Sequence, residues 1–190
     1  MSQRRDQILL IANRLLHEHG VRKMTISAIA KRADIAVGSV YLEFRSKDDI
    51  LIALTQQTLN AILRAMRKAS MSTASYERRV YDVLWARTVG LVEATSEGTH
   101  IQHFLQEGNC SVAEPLHQMF KSAQRDLLID LLDAASDTHP LSINSPTLAA
   151  EALMMSTMCF EPPHLFEIDV KDLPQRFDEV ITMILGGLFQ

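Results

Sequence analysis

At 190 residues and 47% hydrophobic content, the chain is globular and long enough for a small reader domain plus one larger core. Its net charge of −4 hides a split. Residues 1–70 carry 12 Lys/Arg against 6 Asp/Glu, a net +6, and residues 71–190 carry 7 against 17, a net −10. A basic head on an acidic body is expected where one end meets phosphate, although clustered surface charge gives the same count. Cys110 and Cys159 are too few for a disulfide framework, which points to a reducing cytoplasm. The first apolar run, Ile8–Ala12, stops at Asn13 and Arg14, too short for a signal-peptide core. Even Pro146–Phe160 is interrupted by Glu151, so no stretch reaches the length of a membrane span. The expectation is a soluble cytoplasmic protein with no membrane contact.

Taken in chain order, every segment reads as helix. Residues 3–19 place Ile8, Ala12, Leu15 and Leu16 on one face, with His17 and His19 at the end, where protonated imidazoles suit the helix dipole. The stretch Thr25–Leu51, TISAIAKRADIAVGSVYLEFRSKDDIL, is the most informative. Thr25 is a good N-cap for a short helix whose inward stripe is Ile29, Ala30 and Ala33. Asp34 falls where the chain must turn with φ > 0, a position glycine fills best and Asp tolerates at some cost. Ile35 plugs the turn. Val40 and Phe44, four apart, face inward from a second short helix. Ser46 with Asp49 forms a variant capping box opening a helix to about Lys68. This is a helix-turn-helix, whose second helix enters the major groove of DNA.

The rest is helical too. Met71–Ser75 breaks the chain before a helix over roughly Tyr76–Ala94, apolar on several sides and expected to be central. Gly98 and Gly108 bracket a short helix near His100–Gln106. Another spans about Pro115–Ala135, with an ambiguous start: Ser111 and Glu114 make a capping box, whereas Pro115 prefers the first helical position. Ser136–Asn144 is a polar loop. Ser145-Pro146 opens a helix that Pro162-Pro163 should end, and a last helix runs from about Lys171. The first of these two carries stripes Leu148, Ala152, Met155, Cys159 and Ala149, Leu153, Ser156, Phe160. The second carries Phe177, Val180, Ile181, Ile184 and Leu188, with Gly186-Gly187 permitting close approach. Two apolar faces per helix provide one for the core and one for a partner, although a helix deep in a single core shows the same pattern.

Arg5, Ile8, Leu9, Ala12, Leu15, Leu16 and Gly20 precede Thr25, and Ile29-Ala30, Val37-Gly38-Ser39-Val40-Tyr41, Phe44, Lys47 and Leu51 follow. In order and spacing this set resembles the TetR (tetracycline-repressor-like) family of bacterial transcriptional regulators, over about a quarter of the chain. Two positions depart from the family pattern: Asp34 stands for the usual turn glycine and Ala36 for the usual Ser or Thr cap, the latter costing about 1 kcal/mol at the helix start. The resemblance implies an all-α fold of about nine helices. A three-helix helix-turn-helix domain would occupy residues 1–50, continuing into a connecting helix over 47–68, and a helical effector-binding and dimerisation domain 51–190. It implies a homodimeric repressor that binds a palindromic operator in double-stranded DNA and is released by a small-molecule effector. Neither enzymatic activity nor a cofactor or metal is expected.

On the reading helix, Val37, Ser39, Leu42 and Glu43 are left to line or flank the groove, and Gly38 lets the backbone approach DNA. Val37 and Leu42 suit thymine methyls, Ser39 donates or accepts, and Glu43 can only accept, as from a cytosine amino group. The surface has no Arg, Asn or Gln, so specificity leans on DNA shape and half-site spacing. The resemblance implies phosphate contacts from Thr25, Tyr41 and Lys47, the last beside amides near Ser46 at a helix N-terminus. Ser27 can reach a base edge or a phosphate. Arg4 and Arg5 are either a DNA-contacting arm or solvated surface charges.

In the body, Trp85, Phe104, Met119, Phe120, Met154, Met158 and Phe166 are candidate linings of an adaptable apolar effector pocket, and are equally what an ordinary core contains. Arg87 lies mid-helix among apolar residues and needs an anionic partner, either a nearby Glu or Asp or an anionic effector. The family implies a dimer through the last two helices, here Leu148, Ala152, Met155, Cys159, Phe177, Ile181, Ile184 and Leu188. His100, His103 and Glu107, with Cys110 and His117 nearby in sequence, raise a metal-dependent enzyme as an alternative, unsupported by any Gly-rich loop or nucleophile motif. A regulator-like protein governed by a protein partner is a third reading.

Overall fold

The computed structural model describes residues 3–96, 110–138 and 140–189. Among these residues the regular elements are eight α-helices and two 3-10 turns. They fall into two compact units, Met1–Leu59 with Glu93–Leu116, and Asn60–Val92 with His117–Gln190.

The first unit is built on α1 (Gln3–Lys23), α2 (Ile26–Ala33), α3 (Val37–Glu43) and the start of α4 (Lys47–Ser70). The expected stripe holds: Ile8, Ala12, Leu15 and Leu16 of α1 are buried, as are Met24, Ile29, Ala30, Ala33, Val40, Phe44, Ile50 and Leu51. Each large apolar side chain so buried contributes roughly 1.5–3 kcal/mol. Gly20 interrupts α1 with φ 74°, which glycine adopts without the Cβ clash other residues meet. His17 and His19 therefore sit just ahead of a break, while Arg22 and Lys23 occupy the last turn.

Thr25 caps α2, its Oγ1 accepting from the Ala28 amide at 3.1 Å. At the other end Asp34 is left-handed, φ 53° and ψ 47°. The Ile35 amide donates to the Ala30 carbonyl and the Asp34 amide to that of Lys31, the paired bonds of a Schellman motif with Asp in the glycine position. Ile35 packs on the core. Ala36 precedes α3 with extended backbone and no side-chain cap. Ser46 and Asp49 form the reciprocal capping box at α4, at 3.0 and 3.1 Å. Two ties had no sequence signal. Gln7 Nε2 donates to the Ala33 carbonyl, and Arg32 makes a two-pronged pair with Glu18 that holds that carboxyl below its usual range.

The second unit contains the end of α4, most of α5 (Tyr76–Ser96) and of α6 (Cys110–Ser136), and α7 (Pro146–Ser156) and α8 (Leu173–Leu188), with 3-10 turns Met158–Phe160 and His164–Glu167 between the last two. Val80, Val83, Leu84, Arg87, Thr88 and Leu91 of α5 are buried, as expected of a central helix. Gly90 lets α4 and α5 approach closely: a Cβ there would lie 2.7 Å from Ile62 Cγ1. Phe177 anchors α8, its ring 5.4 Å from Tyr81, 4.8 Å from Trp85 and 5.0 Å from Phe160 between centroids.

Two boundaries differ from expectation. α6 begins at Cys110, so Pro115 lies inside the helix, where its missing N–H gives up one intrahelical bond. α7 stops at Ser156, six residues before Pro162, because Thr157 turns its hydroxyl back to the Leu153 carbonyl at 2.7 Å and leaves helical geometry. Ser145 and Pro146 open α7 as expected, Ser145 Oγ accepting from the Leu148 amide. The short helix expected near His100–Gln106, with Phe104 and the cluster His100, His103 and Glu107, lies outside the described residues. No described helix is long and apolar enough to cross a membrane.

Candidate functional site

α3 is held from behind by Val40 and Phe44, both buried, and turns its other face outward. Val37, Gly38, Tyr41 and Leu42 are exposed, Leu42 to 81%, and Ser39 and Glu43 are half-buried at the flanks. An exposed leucine of that degree has no role in the unit's own core. Gly38 is equally informative, because a Cβ built there meets nothing within 4 Å. The fold therefore has room for a side chain at this position, and the glycine leaves the outward face of α3 open for close approach. Thr25 and Ser27, at the start of α2, are exposed as well. Thr25 Oγ1 is engaged as an acceptor, which leaves its own O–H as a donor.

The charged positions at the edge of this face are placed as follows. Arg5 is not a swinging arm: its guanidinium lies 4.1 Å over the Phe44 ring and Nη1 donates to the Glu43 carbonyl at 3.1 Å, so it closes the C-terminal end of α3. Arg4 is exposed. Lys47 Nζ donates to the Val21 carbonyl, tying α4 to the end of α1, with two of its three N–H groups left for other acceptors. The amides of Arg45 and Ser46, offered to phosphate by the sequence, are already bound by the Asp49 carboxylate at 3.0 and 3.1 Å. The anion at this helix N-terminus is the chain's own.

In the second unit, Phe120 and Met154 are buried and Trp85 is half-buried against Phe177. Met119, Met158 and Phe166 are exposed, so these three belong to the surface rather than to an enclosed lining. An open groove of about 530 Å³ runs beside Met154, bordered by Lys121, Ser122, Arg125 and Glu151. Arg87 is fully buried, and its partner is Glu161, 2.9 Å away.

The proposed partner faces also separate. Leu148 and Met155 of α7 are exposed, Met155 to 72%, with Ala152 half-buried; Cys159, just beyond α7, is exposed. On α8 the sequence assignment needs correcting: Phe177, Ile181 and Leu188 are buried in the core of one chain, where Phe177 meets the α5 aromatics. The outward apolar residues of α8 are instead Met183, 72% exposed, and half-buried Val180 and Ile184. Period 3.6 on a helix apolar all round cannot say which stripe faces inward. A shallow cleft of about 210 Å³ lies between Ala152 and Ser156 of α7 and Ile184 and Gly187 of α8. Among the described residues no group of three or more His, Cys, Asp or Glu could hold a metal ion.

The tetR family of bacterial regulatory proteins matches residues 8–54, the stretch that holds α1 to α3 and the start of α4. Through residues 8–54 the chain belongs to the TetR family. This is a family of regulators rather than of enzymes. The fatty acid metabolism regulator protein of Bacillus subtilis (strain 168) is 26% identical over 124 residues, 64% of this chain and 64% of that protein. The chain therefore spans just under two thirds of that relative's length. SmeT, the repressor of the Stenotrophomonas maltophilia multidrug efflux pump SmeDEF, is 21% identical with a TM-score of 0.71, covering 98% of this chain and 90% of that one. The fatty acid degradation regulator FadR of Bacillus halodurans is 21% identical with a TM-score of 0.70, covering 98% and 97%. At these identities the structural likeness is one of fold.

Proposed function

We propose that the chain is a DNA-binding transcriptional repressor that works as a homodimer in the cytoplasm, with residues 1–50 as its reading head and 51–190 as its effector and dimer body. The observation that carries this reading is the outward face of α3, where Val37, Tyr41 and Leu42 are exposed beside Gly38 on a helix fixed by buried Val40 and Phe44. Val37 and Leu42 meet thymine methyls, Tyr41, Thr25 and one free N–H of Lys47 meet phosphates, and Ser27 and Ser39 adjust register. Dimerisation through Leu148, Ala152 and Met155 of α7 with Met183 and Ile184 of α8 sets the half-site spacing, so the operator is palindromic. The effector is largely apolar, with an anionic group suited to Arg87. It acts by preferring one of two states of differing DNA affinity.

The test is selection of bound duplexes from a randomised pool at two salt concentrations. Enrichment of a two-fold symmetric site, with affinity falling as salt rises, supports the reading. Folded, dimeric protein that enriches nothing contradicts it.

A further inference from the structure

Arg87 of α5 has no exposed surface. Its Nη2 reaches the Thr157 carbonyl at 3.4 Å, beyond the usual range of a good N–H···O bond. Nη1 lies 2.9 Å from Glu161 Oε1, but without the alignment of a hydrogen bond. Nη1 and Nε thus both lack a hydrogen-bond acceptor among the described residues. Burial pushes the guanidinium pKa down, while Glu161 and, less strongly, Cys159 pull it back up. A buried guanidinium with so few well-directed bonds does not recover the cost of removing its charge from water.

Glu161 is placed quite differently. Its side chain is 24% exposed. Its main chain is fixed on both sides, the amide donating to the Met158 carbonyl at 3.0 Å and the carbonyl accepting from the Leu165 amide at 2.9 Å. The carboxylate can rotate into water and recover its hydration while the backbone stays where it is. Near Arg87 the chain offers apolar and aromatic residues: buried Leu84 and Leu91 on its own helix, and Phe160, adjacent to Glu161, whose ring meets that of Phe177 at a tilt, Phe177 also meeting Trp85.

We infer that Arg87 anchors the carboxylate of an amphiphilic organic acid, and that Glu161 is an internal carboxylate which this acid displaces. The inference rests on the effector-responsive reading above. Exchange of one carboxylate for another keeps the buried guanidinium paired throughout, so no step leaves a lone charge in the core. The incoming acid supplies acceptor oxygens for donors that Glu161 leaves unused, and its apolar body gains burial that the glutamate side chain does not. The surroundings favour an aliphatic or aryl-aliphatic acid over a polyanion.

The experiment is calorimetric titration of the full chain with decanoate and with 4-phenylbutyrate, using the matched alcohols as uncharged controls. Wild type is expected to bind at least one acid about tenfold or more tightly than its alcohol. Glu161→Gln removes the internal competitor and is expected to tighten acid binding by about tenfold more. Arg87→Met loses the preference for acid over alcohol; the double variant Arg87→Met/Glu161→Gln, which leaves no unpaired charge behind, repeats that readout if the single variant does not fold. Equal binding of acid and alcohol to wild type overturns the proposal. So does a Glu161→Gln variant that loses thermal stability without gaining acid affinity, since the pair is then structural only. Duplex binding by ligand-free protein, measured in parallel, separates the two levels. Retained DNA binding with acids ignored sinks this inference alone, and absence of DNA binding sinks the regulator reading.

Discussion

Arg5 Nη1 donates to the carbonyl of Glu43 at 3.1 Å while the guanidinium carbon sits 4.1 Å above the centre of the Phe44 ring. One side chain from α1 therefore satisfies a terminal carbonyl of α3 and covers the aromatic that seats it. Arg5→Ala is expected to cost about 1–2 kcal/mol, combining a cation–π contact with a charged hydrogen bond. Arg5→Lys should recover less than half, because an ammonium cannot stack as a plane. Urea unfolding of the three proteins checks this; an unchanged midpoint for Arg5→Ala would show the clamp to be incidental.

At the turn between α2 and α3, Asp34 adopts φ 53°. An L-residue there stores backbone strain of roughly 1 kcal/mol that glycine avoids, set against glycine's larger entropy in the unfolded chain. Asp34→Gly should stabilise the protein by about 0.5 kcal/mol, whereas Asp34→Val should destabilise it by more than 1 kcal/mol. Chemical denaturation of the pair gives the sign in each case.

These two relationships mark the limit of what the sequence discloses. Asp34's left-handed turn, Thr25's cap and the Ser46–Asp49 box were legible because each is a local event, governed by residues three or four apart. Arg5 with the Glu43 carbonyl spans 38 residues, and Arg87 with Glu161 spans 74, so no spacing encodes them. The need of Arg87 for an anion was legible from its apolar neighbours, but the identity of the anion was not. Likewise the surplus of apolar surface on α8 was visible, but that Phe177, Ile181 and Leu188 face the core was settled by packing, in which Phe177 meets Tyr81, Trp85 and Phe160.

Gly90 faces Ile62 so closely that a Cβ would lie 2.7 Å from its Cγ1. Alanine gains about 1 kcal/mol in helix propensity, but crowding a β-branched neighbour so near its own backbone costs about 1–3 kcal/mol. Gly90→Ala is expected to lower stability by about 1 kcal/mol on balance, and Gly90→Ala/Ile62→Ala should couple favourably. A double-mutant cycle by thermal unfolding measures that coupling; strict additivity would contradict the close contact.

The exposed Met155 and Met183 lie on α7 and α8, outside the core. A charge at the centre of an apolar dimer face costs several kcal/mol of association, whereas on a free surface it costs little. Met155→Asp and Met183→Asp are expected to shift the protein from dimer to monomer in sedimentation analysis with the helical circular dichroism unchanged. Phe177→Asp should instead unfold the second unit, because that ring is buried within one chain.

Leu42, 81% exposed, separates DNA reading by the outward face of α3 from the stability of the fold. The most direct measurement is fluorescence-anisotropy titration of a selected duplex with wild type and Leu42→Asp across a salt series, beside their thermal melts. Equal melting temperatures are expected, with a steep loss of wild-type affinity as salt rises and at least about tenfold weaker binding by Leu42→Asp. Equal affinity of the two folded proteins for the duplex would contradict DNA reading by this face.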